Sequence, residues 1–173
     1  MPDASHYSSA ERLRDGTALV IRALRPKDRD ELVASFGRLS PRSLYRRFFG
    51  PKRSFTAKEI SYFVDIDFAR HVALVAEASE RRRPTIVGSA RYIVIGPGEA
   101  EVAFTVADAW QGRGIGTLLL RHLTQLAHGA GIRTFVADVL PENSSMLRVF
   151  EKSGMVMRRK HNTGCVQVSL QVA

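Results

Sequence analysis

The feature that most restricts this chain is glycine at alternate positions in Gln111-Gly112-Arg113-Gly114-Ile115-Gly116-Thr117. The strand-like run Ala100-Glu101-Val102-Ala103-Phe104-Thr105-Val106 precedes it, joined by Ala107-Asp108-Ala109-Trp110. A helix from about Gly114 to His128 follows, its apolar residues Ile115, Leu118, Leu119, Leu123 and Leu126 spaced for one buried face. Glycines there let successive backbone N–H groups point one way with no side chain in front. The helix start adds unpaired donors and the positive end of its dipole. Strand, loop and helix together form a site for a phosphate or pyrophosphate. Arg113 would add charge at its rim.

Two other phosphate motifs fit less well. A P-loop needs a Lys after its second spaced glycine, and none is present. A dinucleotide fingerprint has the right order of elements and an acid, Asp138, 22 residues after Gly116. Its close-packing glycine would fall at Leu119, however, and the strand-to-glycine loop is too long. A glycine-rich helix start without any ligand is the bland alternative.

The rest of the chain reads as one domain of mixed character. Residues 1–16 are polar and without period, which predicts a mobile N-terminal tail; residues 17–173 form the domain. Leu19 to Leu24 reads as a strand. Pro26 and the acids Asp28, Asp30 and Glu31 open a helix, Ser40-Pro41 opens a second, and Thr56-Ala57-Lys58-Glu59 is a capping box for a third. His71 to Ala78, Thr85 to Ile95 and Glu99 to Val106 are strand-like. The turns between them are Arg81-Arg82-Arg83-Pro84 and Gly96-Pro97-Gly98, so an antiparallel meander is expected. A strand Thr134 to Val139, a helix from about Asn143 to Ser153, and strands Met155 to Arg159 and Cys165 to Val172 complete the chain. The expected fold class is α/β (α+β): a mixed, mostly antiparallel sheet of six to seven strands flanked by helices.

Charge and inventory exclude several functions. Lys and Arg exceed Asp and Glu by nine, which favours an anionic partner. The basic residues are scattered, though, in clusters at Arg42 to Arg53, Arg81 to Arg83 and Arg158 to Lys160. No aromatic interleaving accompanies them, which argues against nucleic acid. The single Cys165 excludes an internal disulfide framework and fits a reducing compartment. No run is long enough to span a bilayer, and the first residues lack the apolar stretch of a signal peptide, so a cytoplasmic protein is expected. The five histidines show no metal spacing, so no metal is expected; His122 and His128 fall on different faces of one helix.

With these residues in view, the sequence resembles the GNAT superfamily of N-acetyltransferases. Gln111 to Gly116 matches the family's acetyl-CoA pyrophosphate loop, Q/R-x-x-G-x-G/A, at every fixed position. Asn143-Ser144-Ser145-Met146 through Phe150-Glu151-Lys152-Ser153-Gly154-Met155 resembles its second signature. The likeness spans about residues 17 to 172. Phe36 to Gly50, Asp67 to Ala76 and Glu101 to Phe104 look more narrowly like the acetyltransferase domains of bacterial protein lysine acetyltransferases. Those domains are often fused to a regulatory or acyl-CoA synthetase-like domain; none is expected in this chain, nor is control by a cyclic nucleotide.

The resemblance implies acetyl transfer from acetyl-CoA to a primary amine, here a protein lysine, by direct attack. Glu101 is implied as the general base, and burial near Phe63, Val75 or Phe104 would make it a stronger one. Glu77, Asp65, Asp67 and His71 stand behind it, although a histidine at a strand start more often has a structural role. The implied cofactor-binding residues are Phe104, Thr105, Val106, Gln111, Gly112, Arg113, Gly114, Ile115, Gly116, Thr117, Asn143 and Met146. One position departs from the family. Where many members place a Tyr that protonates the leaving thiolate, this chain has Phe150, which leaves the thiolate to depart as such or to draw on water, Tyr92 or Cys165. A small-molecule amine acetyltransferase and a non-catalytic module that senses acetyl-CoA are the alternatives. Monomer and homodimer are equally compatible.

Overall fold

The computed structural model describes residues 3–173. Its centre is one eight-stranded sheet. The strands are β1 (Ser8–Arg12), β2 (Ala18–Ala23), β3 (His71–Glu80), β4 (Arg83–Gly96), β5 (Glu99–Val106), β6 (Thr134–Val139), β7 (Met157–Asn162) and β8 (Cys165–Gln171). They lie in the order β1-β2-β3-β4-β5-β6-β8-β7, antiparallel throughout except for the parallel pair β5–β6. The helices are α1 (Arg29–Gly37), α2 (Pro41–Phe48), α3 (Ala57–Val64), α4 (Ile115–Gly129) and α5 (Ser144–Glu151).

The first strand corrects the reading of residues 1–16 as a tail over Ser8–Arg12, while residues 1 and 2 lie outside the described residues. β1 pairs along its whole length with β2. Its sequence does not announce it because an edge strand with little burial on either face needs no apolar alternation. Polar contacts tie its neighbourhood to α4 instead. Tyr7 Oη lies 2.5 Å from His122 Nδ1, while Glu11 Oε1 accepts from Arg121 at 2.6 Å and lies 2.8 Å from His122 Nε2. The β3–β4 turn is also tighter than expected. Only Arg81 and Arg82 form it, both at positive φ (48° and 64°), the backbone a two-residue hairpin turn requires.

Side chains alternate across the sheet, so β3 and β4 feed two cores. One holds Val72, Leu74, Tyr92, Val102 and Phe135 against Leu119 and Leu123 of α4 and Phe150 of α5. The other holds Ala73, Val75 and Ile86 against Leu32 and Phe36 of α1 and Phe63 and Val64 of α3. The capping box at α3 forms as its sequence predicts: Thr56 Oγ1 accepts from the Glu59 N–H, and Glu59 Oε2 accepts from the Thr56 N–H. Beside the second core, Arg22 is sealed between two acids, reaching Asp28 through two bonds of 2.7 and 2.9 Å and Glu77 at 2.6 Å.

Candidate active site

β5 and β6 pair only at Glu99–Thr134, Ala100–Phe135 and Glu101–Val136, and then separate. β5 continues alongside β4 as far as Val106, opposite Gly88. A cavity of about 480 Å³ opens in the gap between the strands. Just past β5, the Ala107 N–H donates to Val87 of the β4 side. Strand alternation therefore turns the N–H and C=O of residues 102, 104 and 106 toward the gap. The Val106 C=O confirms that direction, because it accepts from Gln111 Nε2 at 3.0 Å. An extended arm placed in the gap would find the backbone partners that β6 does not supply.

The glycine loop closes one end of the cavity. Gly112 (φ 74°) and Gly114 (φ 95°) adopt left-handed backbone, with nothing within 4 Å of where a Cβ would stand. The first bond of α4 runs from the Leu118 N–H to the Gly114 C=O, leaving the amides before it free to donate. Gly112, Ile115 and Gly116 line the cavity; Gly114 and Thr117 shape the turn without lining it. Gly116 also lets α5 approach, with Val149 Cγ2 3.4 Å from where its Cβ would be. Phe104, Thr105, Asn143 and Met146 line the opposite walls. Asn143 caps α5, its Oδ1 accepting from the Met146 N–H at 3.3 Å.

Two expected phosphate-loop side chains are engaged elsewhere. Gln111 is a latch, since its amide also donates to Ser43 Oγ of α2 at 3.2 Å. Asp108 strengthens the same joint by accepting from the Ser40 N–H and Ser43 Oγ. Arg113 does not line the cavity. It donates to Asp15 Oδ2 at 2.7 Å and Thr17 Oγ1 at 2.9 Å, and lies 4.2 Å over the Trp110 ring. Hydrogen bonds from Thr17 and then Arg113 hold the Asp15 carboxyl at about 2.

Glu101 lines the cavity at the point where the strands part. It is solvent-exposed, not buried among apolar side chains as the sequence suggested, because the parting strands admit water. The backup carboxylates Glu77 and Asp67 have other work. Glu77 pairs with Arg22, and Asp67 Oδ1 accepts from three successive N–H groups, those of Ala69, Arg70 and His71. His71 Nε2 lies 3.1 Å from Arg91 Nη1, so the ring accepts and is neutral. Burial and then the Arg91 charge bring His71 down to about 4, which makes it a structural residue and a weak base. Phe150 lies edge-on to Phe104 at 5.8 Å. Tyr92 is sealed in the core against Phe135, away from the cavity, while Cys165 lines it.

Two arginines of the basic cluster at Arg42 to Arg53 form a cationic wall. Arg46 and Arg47 of α2 both line the cavity. Arg46 Nε is buried without a hydrogen-bond partner, and its Nη2 lies 3.4 Å from the Glu142 C=O. Behind Arg47 stands Arg91, 3% exposed, donating to the Phe63 C=O at 3.2 Å. Burial brings Arg47 to about 10; burial and then Arg47's like charge bring Arg91 to about 9. Both remain cations at neutral pH.

A sequence model described as the acetyltransferase (GNAT) domain matches residues 18–156. Acetyltransferase Pat of Mycolicibacterium smegmatis is 32% identical over 162 residues, 92% of this chain and 47% of Pat, so the chain spans about half of that relative. Acetyltransferase PA5475 of Pseudomonas aeruginosa is 33% identical over 150 residues, 86% of this chain and 81% of the relative. Among solved structures, the GNAT domain of S. lividans PAT superposes with a TM-score of 0.86 at 35% identity, covering 95% of this chain and 96% of that one. With most of its length matched in sequence and nearly all of it in structure, the chain belongs to the GNAT acetyltransferase family, enzymes that take their acetyl group from acetyl-CoA.

Proposed function

We propose that the protein moves an acetyl group from acetyl-CoA to the side-chain amine of a protein lysine, with Glu101 as general base. The observation that carries this reading is the position of Glu101 at the fork of β5 and β6, on the wall of the cavity. The residues present suit the donor. Open glycines and free amides at the start of α4 fit a pyrophosphate. The unpaired edge of β5 fits a pantetheine arm, with Asn143 across the gap.

Bound acetyl-CoA supplies a thioester carbonyl activated toward an amine. A lysine amine has pKa ~10.4, so roughly 4.6 kcal/mol separates it from its nucleophilic form at pH 7. Glu101 removes that proton, directly or through a water that its exposure admits. A β5 amide facing the gap, that of Phe104 or Val106, donates to the carbonyl oxygen as charge develops. Phe150 offers no proton, so the sulfur leaves as a thiolate, which a thiol pKa of ~8.5 permits.

The test is mass spectrometry of folded proteins incubated with acetyl-CoA and the enzyme. Acetyl-lysine that appears with the enzyme and not with heat-inactivated enzyme supports the reading. Turnover of small amines with no mark on any protein overturns the lysine assignment.

A further inference from the structure

Arg47 and Arg91 form a cationic pair with no carboxylate of their own. Among the described residues, neither makes a salt bridge, although Arg22, Arg38, Arg113, Arg121 and Arg159 all do. The two guanidinium groups share one aromatic ring. Arg91 lies 4.9 Å from the Phe63 centroid and Arg47 5.9 Å from it, with Arg47 also 4.9 Å over Phe48. Ring faces and a neutral His71 soften the burial of two cations without cancelling their mutual repulsion. Glu101 is the carboxylate whose charge reaches Arg47, and among the described residues it forms no ion pair with either arginine. Arg91 and Glu101 lie on the same face of the sheet, since Arg91 pairs with Ala103 and Glu101 is two residues before Ala103.

A cationic amine would approach Glu101 past this pair against its field. A charge-matched acceptor carries an anion close to its amine. We propose that Arg47, backed by Arg91, binds a carboxylate next to the acceptor amine, so that the enzyme selects lysines flanked by an aspartate or glutamate. Arg47 is the contact because it lines the cavity, whereas Arg91 is sealed behind it and acts through its charge. The inference rests on the protein-lysine reading above and names the lysines it selects.

The experiment compares lysine peptides carrying Glu at −2, −1, +1 or +2 with the same peptides carrying Gln. Turnover is followed by CoA release, and affinity for the CoA-loaded protein by calorimetry. The native enzyme is expected to favour at least one Glu peptide over its Gln twin by ~10-fold or more, as a charge-assisted contact would give. Arg47→Gln should bring that ratio to about one, while Arg47→Lys retains part of it. Thermal melting and acetyl-CoA affinity of each variant show that it is folded. A native ratio near one in both assays, or a preference that survives Arg47→Gln, overturns the proposal. If no peptide reacts or binds but amino acids are acetylated better than their decarboxylated counterparts, the lysine reading fails. Arg47 dependence of that preference then shows that the carboxylate site stands with a smaller acceptor, and independence overturns the site as well.

Discussion

Glu101 and Val136 are the last paired residues of β5 and β6. One step further along β5, the backbone turns from holding a neighbouring strand to lining a cavity. The proposed base therefore stands on rigid sheet, with its backbone fixed on one side by Ile93 of β4 and on the other by Val136. A side chain so placed needs little reorganisation to meet an incoming amine.

Glu101→Gln keeps the shape of the side chain and the pairing of its backbone but removes the proton acceptor. Turnover at pH 7 is expected to fall by ~10²-fold or more. Acetyl-CoA affinity, for which the proposed binding site uses the glycine loop and the free β5 edge, should stay near the native value. Steady-state kinetics beside calorimetric titration separates the two, and undiminished turnover would remove Glu101 from the mechanism.

The glycine loop was legible in the sequence because φ near 74° and 95° calls for glycine and leaves a local signature. The meander and α4 were legible for the same kind of reason, since their periodicity lies within single segments. Arg113 was not. Its partners Asp15 and Thr17 lie nearly a hundred residues away, and only the folded chain brings them to it. The Arg47–Arg91 pair was hidden likewise, being assembled from α2 and β4 across Phe63. The exposure of Glu101 depends on where two strands part, which alternation along either strand does not encode.

Gly88 is a site requirement that no motif announced. A Cβ there would stand 3.0 Å from Ile115 Cγ2 and 3.2 Å from the Thr105 C=O. The backbone oxygen has little room to retreat, so Gly88→Ala must push α4 off β4 at the turn that holds the glycine loop. A loss of ~1–3 kcal/mol in urea unfolding is expected, together with weaker acetyl-CoA binding. Gly37→Ala is the control, because nothing lies within 4 Å of its Cβ position at the end of α1. Equal stability of the two variants would show that the contact is not tight.

Asp28 is 6% exposed and answers the charge of Arg22, itself 5% exposed. Burial pushes the Asp28 carboxyl up, but hydrogen bonds from Arg22 and the Arg25 N–H outweigh it and hold the group below the usual carboxylate range. Its stabilising contribution is present above the unfolded pKa near ~3.9 and is lost as pH falls through the lower folded value. Asp28→Ala leaves Arg22 buried with Glu77 alone, and a loss of ~3–5 kcal/mol is expected at neutral pH. A loss under ~1 kcal/mol by chemical denaturation would mean that water reaches Arg22 in the variant.

His71 gives the fold a second, separable response to acid. Burial and the neighbouring Arg91 lower it to about 4 from an ordinary 6.5, so the folded ring stays neutral where the unfolded one binds a proton. Stability from this group is complete above pH ~6.5 and declines as pH falls toward ~4. The decline amounts to at most about 3 kcal/mol, reduced where water reaches the half-buried ring. The window lies above that of Asp28, so the two do not blur. His71→Gln keeps an acceptor for Arg91 Nη1 without a titrating ring, and should flatten urea stability between pH 6.5 and 4 while leaving the acid limb below it. Imidazole resonances followed by NMR report the same quantity directly. A midpoint near 6.5 would mean that the ring accepts no bond from Arg91 in solution, and that the cation behind the cavity wall is held by Phe63 alone.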